Sequence, residues 1–359
     1  MILFFSTSSF IYADTFESYG FDTSKGNTNV LLGMKNDQII YEKYSNGYDF
    51  KRPHILHSVN KIFLNAFLGN LEKEGLISIN SPIDKLIHNT YSSKITIDSL
   101  MRMSSGMRAI SDFESMDIVY PGLIRPTEEI PNNFFDFYLL KSLPMYAPDT
   151  HFNYGFHDNN LLILHLENIF GRYALKSMFM NFLLKFNFFD TKISIKEPEQ
   201  FLFERYDSFL NKQILLNNTV DMFSIPPSLQ FGSSSAKDIL ELAKLYLKRK
   251  NDVFSLKWRN DSLSCRPENF IESRTKQSFF APYTYGRYWF LNLPHTNGQK
   301  PYPKLPSDLA IIYGLKGQVL AIFPSQNAIY LRLAKDTKNS KFDSEKHLNL
   351  FYDKFLKTN

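Results

Sequence analysis

Several chemical signals are scarce or missing in this sequence of 359 residues. It contains one cysteine, Cys265, which can form neither an internal disulfide nor a site built from several cysteine ligands. Beyond the opening segment, no run reaches the 18 or more consecutive apolar residues that a membrane-spanning helix needs. We therefore expect a compact protein that has no transmembrane span and is held together by its core.

Common catalytic and nucleotide-binding motifs are also absent. The sequence has no G-x-S-x-G elbow, which argues against an α/β-hydrolase triad that uses His157, Asp158 or His165. It has no H-E-x-x-H motif and no carboxylate cluster beside His54 and His57, so we predict structural roles for these two histidines and no metal. Walker and dinucleotide-binding glycine motifs are missing as well, and we expect no cofactor.

The charges exclude a further class of partner. The 41 basic and 36 acidic residues give a formal net charge of +5 and are mixed along the chain. No basic run is interleaved with aromatic residues in the manner of a nucleic-acid-binding track. We therefore expect no nucleic-acid partner, and the sequence leaves the oligomeric state open.

The opening segment, MILFFSTSSFIYADTF, is apolar and ends in Ile-Tyr-Ala before Asp14. It resembles the late part of a secretory signal with a small residue at the cleavage point, although a basic n-region is missing. We interpret residues 1–13 as a signal remnant, which predicts an exported, periplasmic protein. Without such a signal the expected location is the cytoplasm.

Hydrophobic periodicity predicts strands near both ends of the chain. Residues 30–49 read as a β-hairpin around a Lys-Asn-Asp turn, and short β-rich runs return after Tyr285 in YWFLNL, LAIIYGL, QVLAIF and AIYLRLA. A final amphipathic stretch covers residues 344–356. Because the strands lie at both ends, we expect one sheet assembled from both parts of the chain.

Helical periodicity dominates between these strands. It is strongest over residues 58–74, which Gly75 ends, and it recurs at residues 98–103, 159–170, 173–186 and 236–249. We predict that residues 14–80 and 251–359 form a sheet-containing α/β part and that residues 81–250 form a mostly helical lobe.

Ser58 and Lys61 open the strongest predicted helix. At a spacing of three residues they share one helix face, so the lysine amine can reach the serine hydroxyl and act as its base. The helix N-terminus would also favour a developing oxyanion. The spacing alone fits equally well a helix-capping serine followed by a surface lysine, and it recurs at Ser234–Lys237 and Ser273–Lys276 in polar stretches.

The surrounding segments resemble a known family. IIYEKYSNGYDFKRPHILHSVNKIF looks like the strand, loop and nucleophile helix of the β-lactamase-related serine hydrolases. In the same order follow ITIDSLMRMSSGM, APDTHFNY, FGSSSAKDILELAKLYL, YGRYWFLNLP and IYGLKGQVLAIFPSQNAIYLRL, each similar to a block of that family. The resemblance covers about residues 30 to 335 and is strongest to the esterase and 6-aminohexanoate-dimer hydrolase-like members.

The resemblance implies a role for particular residues. It makes Ser58 the acylated nucleophile, Lys61 its general base and Tyr154 a second proton-transfer group. The third family motif aligns with residues 312–314, so the backbone N–H groups of Ser58 and Leu315 would form the oxyanion hole. Residues expected at the pocket are Phe156, Trp289, Tyr313 and Gly314; for Trp289, a place in the strand core is the alternative.

Two positions depart from the family pattern. Phe156 stands where a small polar residue is common, two positions after Tyr154, and Ile312 replaces a basic residue that many β-lactamases use to hold a substrate carboxylate. Efficient β-lactam hydrolysis is therefore disfavoured, and a true β-lactamase or transpeptidase remains a third hypothesis. Esterase-like members also lack the basic residue, so loss of catalysis does not follow.

The expected fold class is α/β (α+β), of the β-lactamase/penicillin-binding-protein type. It has an antiparallel sheet flanked by helices and a mostly helical lobe, with the active site in the cleft between them. The expected function is a serine hydrolase that forms a covalent acyl-enzyme with a small ester, amide or peptide-like substrate. The alternative is a catalytically weak, ligand-binding relative of the penicillin-binding proteins.

Overall fold

The structure is a computed structural model that describes residues 15–83, 94–107, 145–191, 232–266, 284–294, 298–337 and 339–357. The predicted signal remnant lies outside the described residues, as do Ser273 and Lys276. The backbone of Phe156 and His157 is described, but their side chains are not. Within the described ranges, no helix is long and apolar enough to cross a membrane.

Two antiparallel sheets are present in the described part of the chain. The larger has seven strands in the order β2-β1-β9-β8-β7-β6-β5, and the smaller pairs β3 with β4. In chain order the strands are β1 Thr28–Lys35, β2 Gln38–Tyr44, β3 His54–Ile55, β4 Ser233–Ser234, β5 Thr284–Tyr285, β6 Phe290–Leu291, β7 Ala310–Gly314, β8 Gln318–Phe323 and β9 Ala328–Ala334. Because β1 pairs with β9, the N-terminal and C-terminal parts of the chain share one sheet, which confirms the predicted antiparallel architecture.

Burial explains which strands occupy the centre of the large sheet. All six residues of β8 and all seven of β9 are buried, so both faces of these strands are covered. Strand β2 lies at the edge and has no fully buried residue. The predicted hairpin joins β2 to β1 through Asn36 and Asp37, whose φ angles of 52° and 62° suit a two-residue turn that follows the twist of the strands.

The helices cover and extend the sheet. They are α1 Phe16–Gly20, α2 Lys61–Lys73, α3 Ile97–Met101, α4 Phe156–Phe170, α5 Arg172–Lys185, α6 Ala236–Leu247, α7 Leu256–Ser262 and α8 Ser344–Phe351, which continues as a π-helical turn over Tyr352–Leu356. Helix α2 is the most enclosed, because every residue from Lys61 to Leu71 is buried. It therefore holds the residues at its N-terminus against the core.

One feature differs from the sequence-based expectation. The α-helix predicted from residue 58 begins at Lys61, because His57–Asn60 form a 3-10 turn. Helix α6, whose residues were expected in the helical lobe, packs against α2, β8 and β9. Its buried face includes Ile239, Leu242 and Tyr246, and the apolar sheet is the surface that covers it.

Candidate active site

Ser58 lies in the 3-10 turn before α2, and this turn is held at both ends by one carbonyl group. The backbone N–H of Leu56 donates to the carbonyl oxygen of Gly232 at 3.2 Å, and the Asn60 side-chain amide donates to the same oxygen at 3.0 Å. A Cβ atom on Gly232 would lie 2.6 Å from the Asn60 side chain, so the close approach requires glycine. His57 has a φ of 49°, a sparsely populated conformation that the contacts of the turn maintain.

Two proton-carrying groups converge on the Ser58 hydroxyl. The Lys61 Nζ atom lies 3.0 Å from the Ser58 Oγ, and the Tyr154 hydroxyl lies 3.1 Å from the same oxygen. The Lys61 side chain is only 4% exposed, and its Nζ lies 5.3 Å from the centroid of the Tyr154 ring. This arrangement allows one group to accept the serine proton while the other donates a proton elsewhere.

The loop that carries Tyr154 is fixed by the segment after α3. The backbone N–H of Asn153 donates to the carbonyl of Met103 at 2.8 Å, and its side-chain amide donates to the carbonyl of Met107 at 2.8 Å. Between them, Gly106 has a φ of 80°, and a Cβ atom there would lie 2.1 Å from the carbonyl oxygen of Tyr146. The segment around Gly106 therefore helps to fix the position of Tyr154.

The turn between β7 and β8 approaches Ser58 from the other side. A Cβ atom on Gly314 would lie 2.6 Å from the carbonyl oxygen of Leu56, so the end of β7 touches the turn that contains Ser58. The Leu315 side chain is 46% exposed. Among the residues that the structure describes, neither the N–H of Ser58 nor that of Leu315 donates a hydrogen bond. Both donors are thus available to a ligand.

Aromatic residues of the large sheet border Tyr154. The ring of Phe290 stacks on that of Tyr154 with centroids 6.0 Å apart, and it lies 5.7 Å from the ring of Tyr313. The hydroxyl of Tyr313 is hydrogen-bonded to that of Tyr302. Sequence reasoning did not single out Tyr302, because its pattern is that of an ordinary core residue.

Comparison with solved structures identifies the fold. EstCE1, described as a hydrolase with promiscuous acyltransferase activity, matches with a TM-score of 0.67 at 13% identity over 94% of this chain and 96% of its own. A D-stereospecific amidohydrolase from Streptomyces sp. matches with a TM-score of 0.64 at 14% identity over 96% of this chain and 98% of its own. A β-lactamase/D-alanine carboxypeptidase from Yersinia pestis matches with a TM-score of 0.63 at 14% identity over 94% of this chain and 95% of its own.

The chain has the β-lactamase/penicillin-binding-protein fold. No protein-family model matches the sequence, and the comparison with curated proteins finds no match. The fold expected from the sequence is confirmed by these solved structures, whose sequences are 13–15% identical to this one.

Within this β-lactamase-like fold, Trp289 and Ile312, two residues considered in the sequence analysis, lie in the core. Trp289 is entirely buried, and its ring packs at 5.1 Å from that of Tyr246 on α6. This burial favours the strand-core alternative for Trp289, whereas the ring of the next residue, Phe290, stacks on that of Tyr154. Ile312, at the start of the third motif, is also buried.

A buried carboxylic acid lies close to the Tyr154 loop. Asp158 on α4 accepts a hydrogen bond from the Ser105 hydroxyl at 2.5 Å and one from the Ser105 backbone N–H at 3.4 Å. Burial raises the pKa of Asp158 to about 7, although these hydrogen bonds oppose the shift. Among the described residues, the hydroxyls of Tyr285 and Tyr288 have no partner, and burial raises the pKa of both well above 10.

The other serine–lysine pair that the structure describes has different surroundings. Ser234 lies in β4 and its hydroxyl is hydrogen-bonded to that of Thr191 at 2.8 Å. Lys237 lies 3.8 Å from the carboxylate of Asp238. The lysine is thus near an acid and the serine near another hydroxyl, so the spacing does not reproduce the arrangement at Ser58.

His54 and His57, the histidines considered as metal ligands, belong to no metal-binding cluster among the described residues. His54 is buried, with its Nε2 2.9 Å from the Asn29 side-chain amide and its Nδ1 2.8 Å from the Ile55 carbonyl. Burial lowers the pKa of His54 to about 4. In the described ranges, no group of three or more histidine, cysteine, aspartate or glutamate residues is arranged to hold a metal ion.

Proposed function

We propose that this protein is a serine hydrolase that cleaves a small ester or amide through a covalent Ser58 acyl-enzyme. The observation that carries the proposal is the convergence of Lys61 and Tyr154 on the Ser58 Oγ, at 3.0 and 3.1 Å. Both distances are within the reach of direct proton transfer. Of the three serine–lysine pairs at this spacing, Ser58–Lys61 also opens a buried helix.

In the acylation step, the Ser58 Oγ attacks the carbonyl carbon of the substrate and its proton passes to Lys61 in its uncharged form. The carbonyl oxygen gains negative charge and accepts hydrogen bonds from the N–H groups of Ser58 and Leu315. As the tetrahedral intermediate collapses, the alcohol or amine leaves with a proton that Tyr154 donates, and the proton held by Lys61 restores the tyrosine. The acyl group remains on Ser58.

In the deacylation step, water takes the place of the leaving group. One proton of the water passes to the Tyr154–Lys61 pair as its oxygen attacks the acyl carbon. The bond between the acyl carbon and the Ser58 Oγ then breaks, and the serine recovers a proton. The net reaction adds one water and releases a carboxylic acid together with the alcohol or amine.

The surroundings of Ser58 support a substrate without an essential carboxylate. Ile312 is a buried aliphatic residue at the position where many β-lactamases carry a cation. Phe290 and Tyr313 add aromatic surface next to Tyr154. Apolar acyl or alcohol groups suit such a wall, and the similar EstCE1 and Streptomyces amidohydrolase are hydrolases by description.

The proposal is tested by intact-mass labelling with a fluorophosphonate probe and by turnover of p-nitrophenyl esters. The wild type is expected to gain one adduct at Ser58 and to turn over the esters. Ser58→Ala and Lys61→Ala should abolish the adduct and lower turnover by several orders of magnitude, because nucleophile and base act as a unit.

Ser234 and Lys237 supply a matched control, since they have the same spacing in the same chain. Ser234→Ala and Lys237→Ala should leave labelling and turnover at the wild-type level. Absence of any adduct on folded wild-type protein at several pH values would reject the hydrolase. The alternative would then be a binding protein, whose ligand affinity Ser58→Ala leaves intact.

A further inference from the structure

Every carbonyl group of the turn that carries Leu315 is taken by a donor from strands β8 and β9 or the residues just after them. The Gln318 side-chain amide donates to the carbonyls of Leu315 and Lys316, both at 3.1 Å. The backbone N–H of Asp336 also donates to Lys316 at 3.1 Å. The Arg332 Nη1 donates to the carbonyl of Gly317 at 2.9 Å.

Gln318 is itself locked in place by β9. Its Nε2 also lies 2.6 Å from the carbonyl oxygen of Ala334, so the two N–H groups of the amide are shared among three carbonyls, and its Oε1 accepts from the backbone N–H of Ala334 at 2.9 Å. The side chain is 1% exposed. A glutamine held through both ends of its amide cannot rotate without breaking these hydrogen bonds, so it is a rigid support for the turn.

Arg332 forms the second support, and it is wholly buried. It makes a bidentate ion pair with Asp336 at 2.8 and 3.0 Å and donates through Nε to the hydroxyl of Thr28 at 2.9 Å. Its guanidinium lies 3.5 Å from the centroid of the Phe342 ring. A buried ion pair is weak evidence of stabilisation, because desolvation offsets its attraction. What this pair does provide is a fixed direction for the bond to Gly317.

The turn needs such supports because its backbone conformation is unfavourable by itself. Lys316 has a φ of 58° and Gly317 a φ of 81°, both in the left-handed region. A non-glycine residue such as Lys316 rarely adopts that conformation and keeps it only where its surroundings impose it. Here Gln318, Arg332 and Asp336 supply the surroundings.

We propose that Gln318 and the Arg332–Asp336 pair are positioning residues that hold the Leu315 N–H as an oxyanion donor. This inference rests on the proposed hydrolase function. The donor must lie within hydrogen-bond distance of the oxygen as charge develops, and a displacement of about 1 Å lowers the rate strongly. The binding of substrate in its ground state depends much less on that donor, so the effect should fall on kcat.

The test compares Gln318→Met and Arg332→Lys with the wild type in ester turnover and in the rate of fluorophosphonate labelling. Loss of an oxyanion donor typically costs 10²–10³ in kcat, so a displaced donor should lower kcat about 10- to 100-fold while KM stays within about twofold. The labelling rate should fall in parallel, because the phosphonyl oxygen of the probe gains charge at the position that the carbonyl oxygen of an ester would occupy.

Asn292→Leu is the matched control. The Asn292 amide also donates to three carbonyls, those of Tyr302, Leu305 and Pro306, and accepts from the N–H of Tyr302. Its replacement removes as many hydrogen bonds as Gln318→Met and should lower the melting temperature to a similar extent. It should lower kcat much less than Gln318→Met does, because its hydrogen bonds hold the segment of Tyr302 and none of them reaches the turn of Leu315.

The outcomes separate the two levels of the argument. Wild-type protein that is not labelled at Ser58 rejects the proposed function itself. The positioning role is rejected if the wild type is labelled and both Gln318→Met and Arg332→Lys retain kcat. It is also rejected if these variants lose kcat only as much as Asn292→Leu does. If both variants fail to fold, Asp336→Asn is the substitute test, because it keeps the backbone hydrogen bond to Lys316. An unchanged kcat in that variant would likewise overturn the positioning role.

Discussion

The buried histidine His347 predicts a marked loss of stability in mild acid. It lies on α8 with 0% exposure, its Nε2 2.8 Å from the Phe16 carbonyl and its Nδ1 2.6 Å from the Tyr330 hydroxyl. The neutral ring satisfies both contacts, with Nε2–H donating to Phe16 and Nδ1 accepting from Tyr330. Burial, with a smaller contribution from the charge of Arg332, lowers the pKa of His347 to about 4.

The sign and size of the effect follow from the two states. An unfolded histidine titrates at about 6.5, so between pH 6.5 and 4 the unfolded state binds a proton that the folded state does not. Stability is therefore full above pH 6.5 and falls as the pH drops. For one group with these pKa values, the free energy of unfolding falls by about 2.5 kcal/mol from pH 7.5 to 4.5.

The assay is urea unfolding of the wild type and His347→Gln at pH 7.5 and 4.5. Glutamine can still meet Phe16 or Tyr330 but does not titrate, so the variant should lose about 2.5 kcal/mol less than the wild type over this interval. Other titrating groups contribute equally to both proteins and cancel in the difference. His151→Gln, at an exposed histidine, is the control and should follow the wild type. An equal loss of the free energy of unfolding in the wild type and in His347→Gln would refute the reasoning.

Two further predictions concern buried carboxyl groups. Asp98 is wholly buried and pairs with Arg102 at 2.9 Å and with Arg266 and Arg287. Asp98→Asn leaves the arginines without their shared anion and should lower the free energy of unfolding in urea by about 3–5 kcal/mol. A loss below about 1 kcal/mol would contradict this account. Asp158 has its pKa raised to about 7 by burial, so ionisation favours the unfolded state and stability falls as the pH rises from about 4 to above 7, by up to about 4 kcal/mol. Asp158→Asn should remove that part of the pH dependence, and thermal melts at pH 5 and pH 8 measure it; an unchanged pH profile would show that the carboxyl does not titrate in this range.

Local patterns in the sequence were sufficient for most secondary structure. Alternating apolar residues predicted the β1–β2 hairpin and its turn, and the four later β-rich runs contain β6 to β9. Helical periodicity located α2, α4, α5 and α6 to within a few residues. These signals are local because the side chains that face the core recur with the period of the element itself.

The start of helix α2 could not be predicted from such patterns. The residues from Ser58 onwards have helical periodicity, yet the α-helix begins only at Lys61. The preceding 3-10 turn is imposed by Gly232, whose carbonyl binds Leu56 and Asn60 from far along the chain. Long-range contacts of this kind leave no periodic signal in the residues that they constrain.

The same distinction applies to the candidate site. The spacing of Ser58 and Lys61 determines by itself that the two side chains can meet, because residues three apart share one side of a helical turn. Tyr154 was selected only through family resemblance, since nothing in its local sequence separates it from the 19 other tyrosines. Its hydroxyl reaches Ser58 across 96 residues of sequence because Asn153 is bound to Met103 and Met107.

The sequence alone thus determined the kinds of elements, the strands at both ends of the chain and the serine–lysine spacing at the start of a buried helix. The tertiary structure decided which residues surround that pair. It placed Trp289 in the core and Phe290 against Tyr154, and it tied the Leu315 turn to Gln318 and Arg332. The physical reason is that periodicity encodes which side of an element is buried, whereas the neighbours on that side are chosen by packing between segments far apart in the chain.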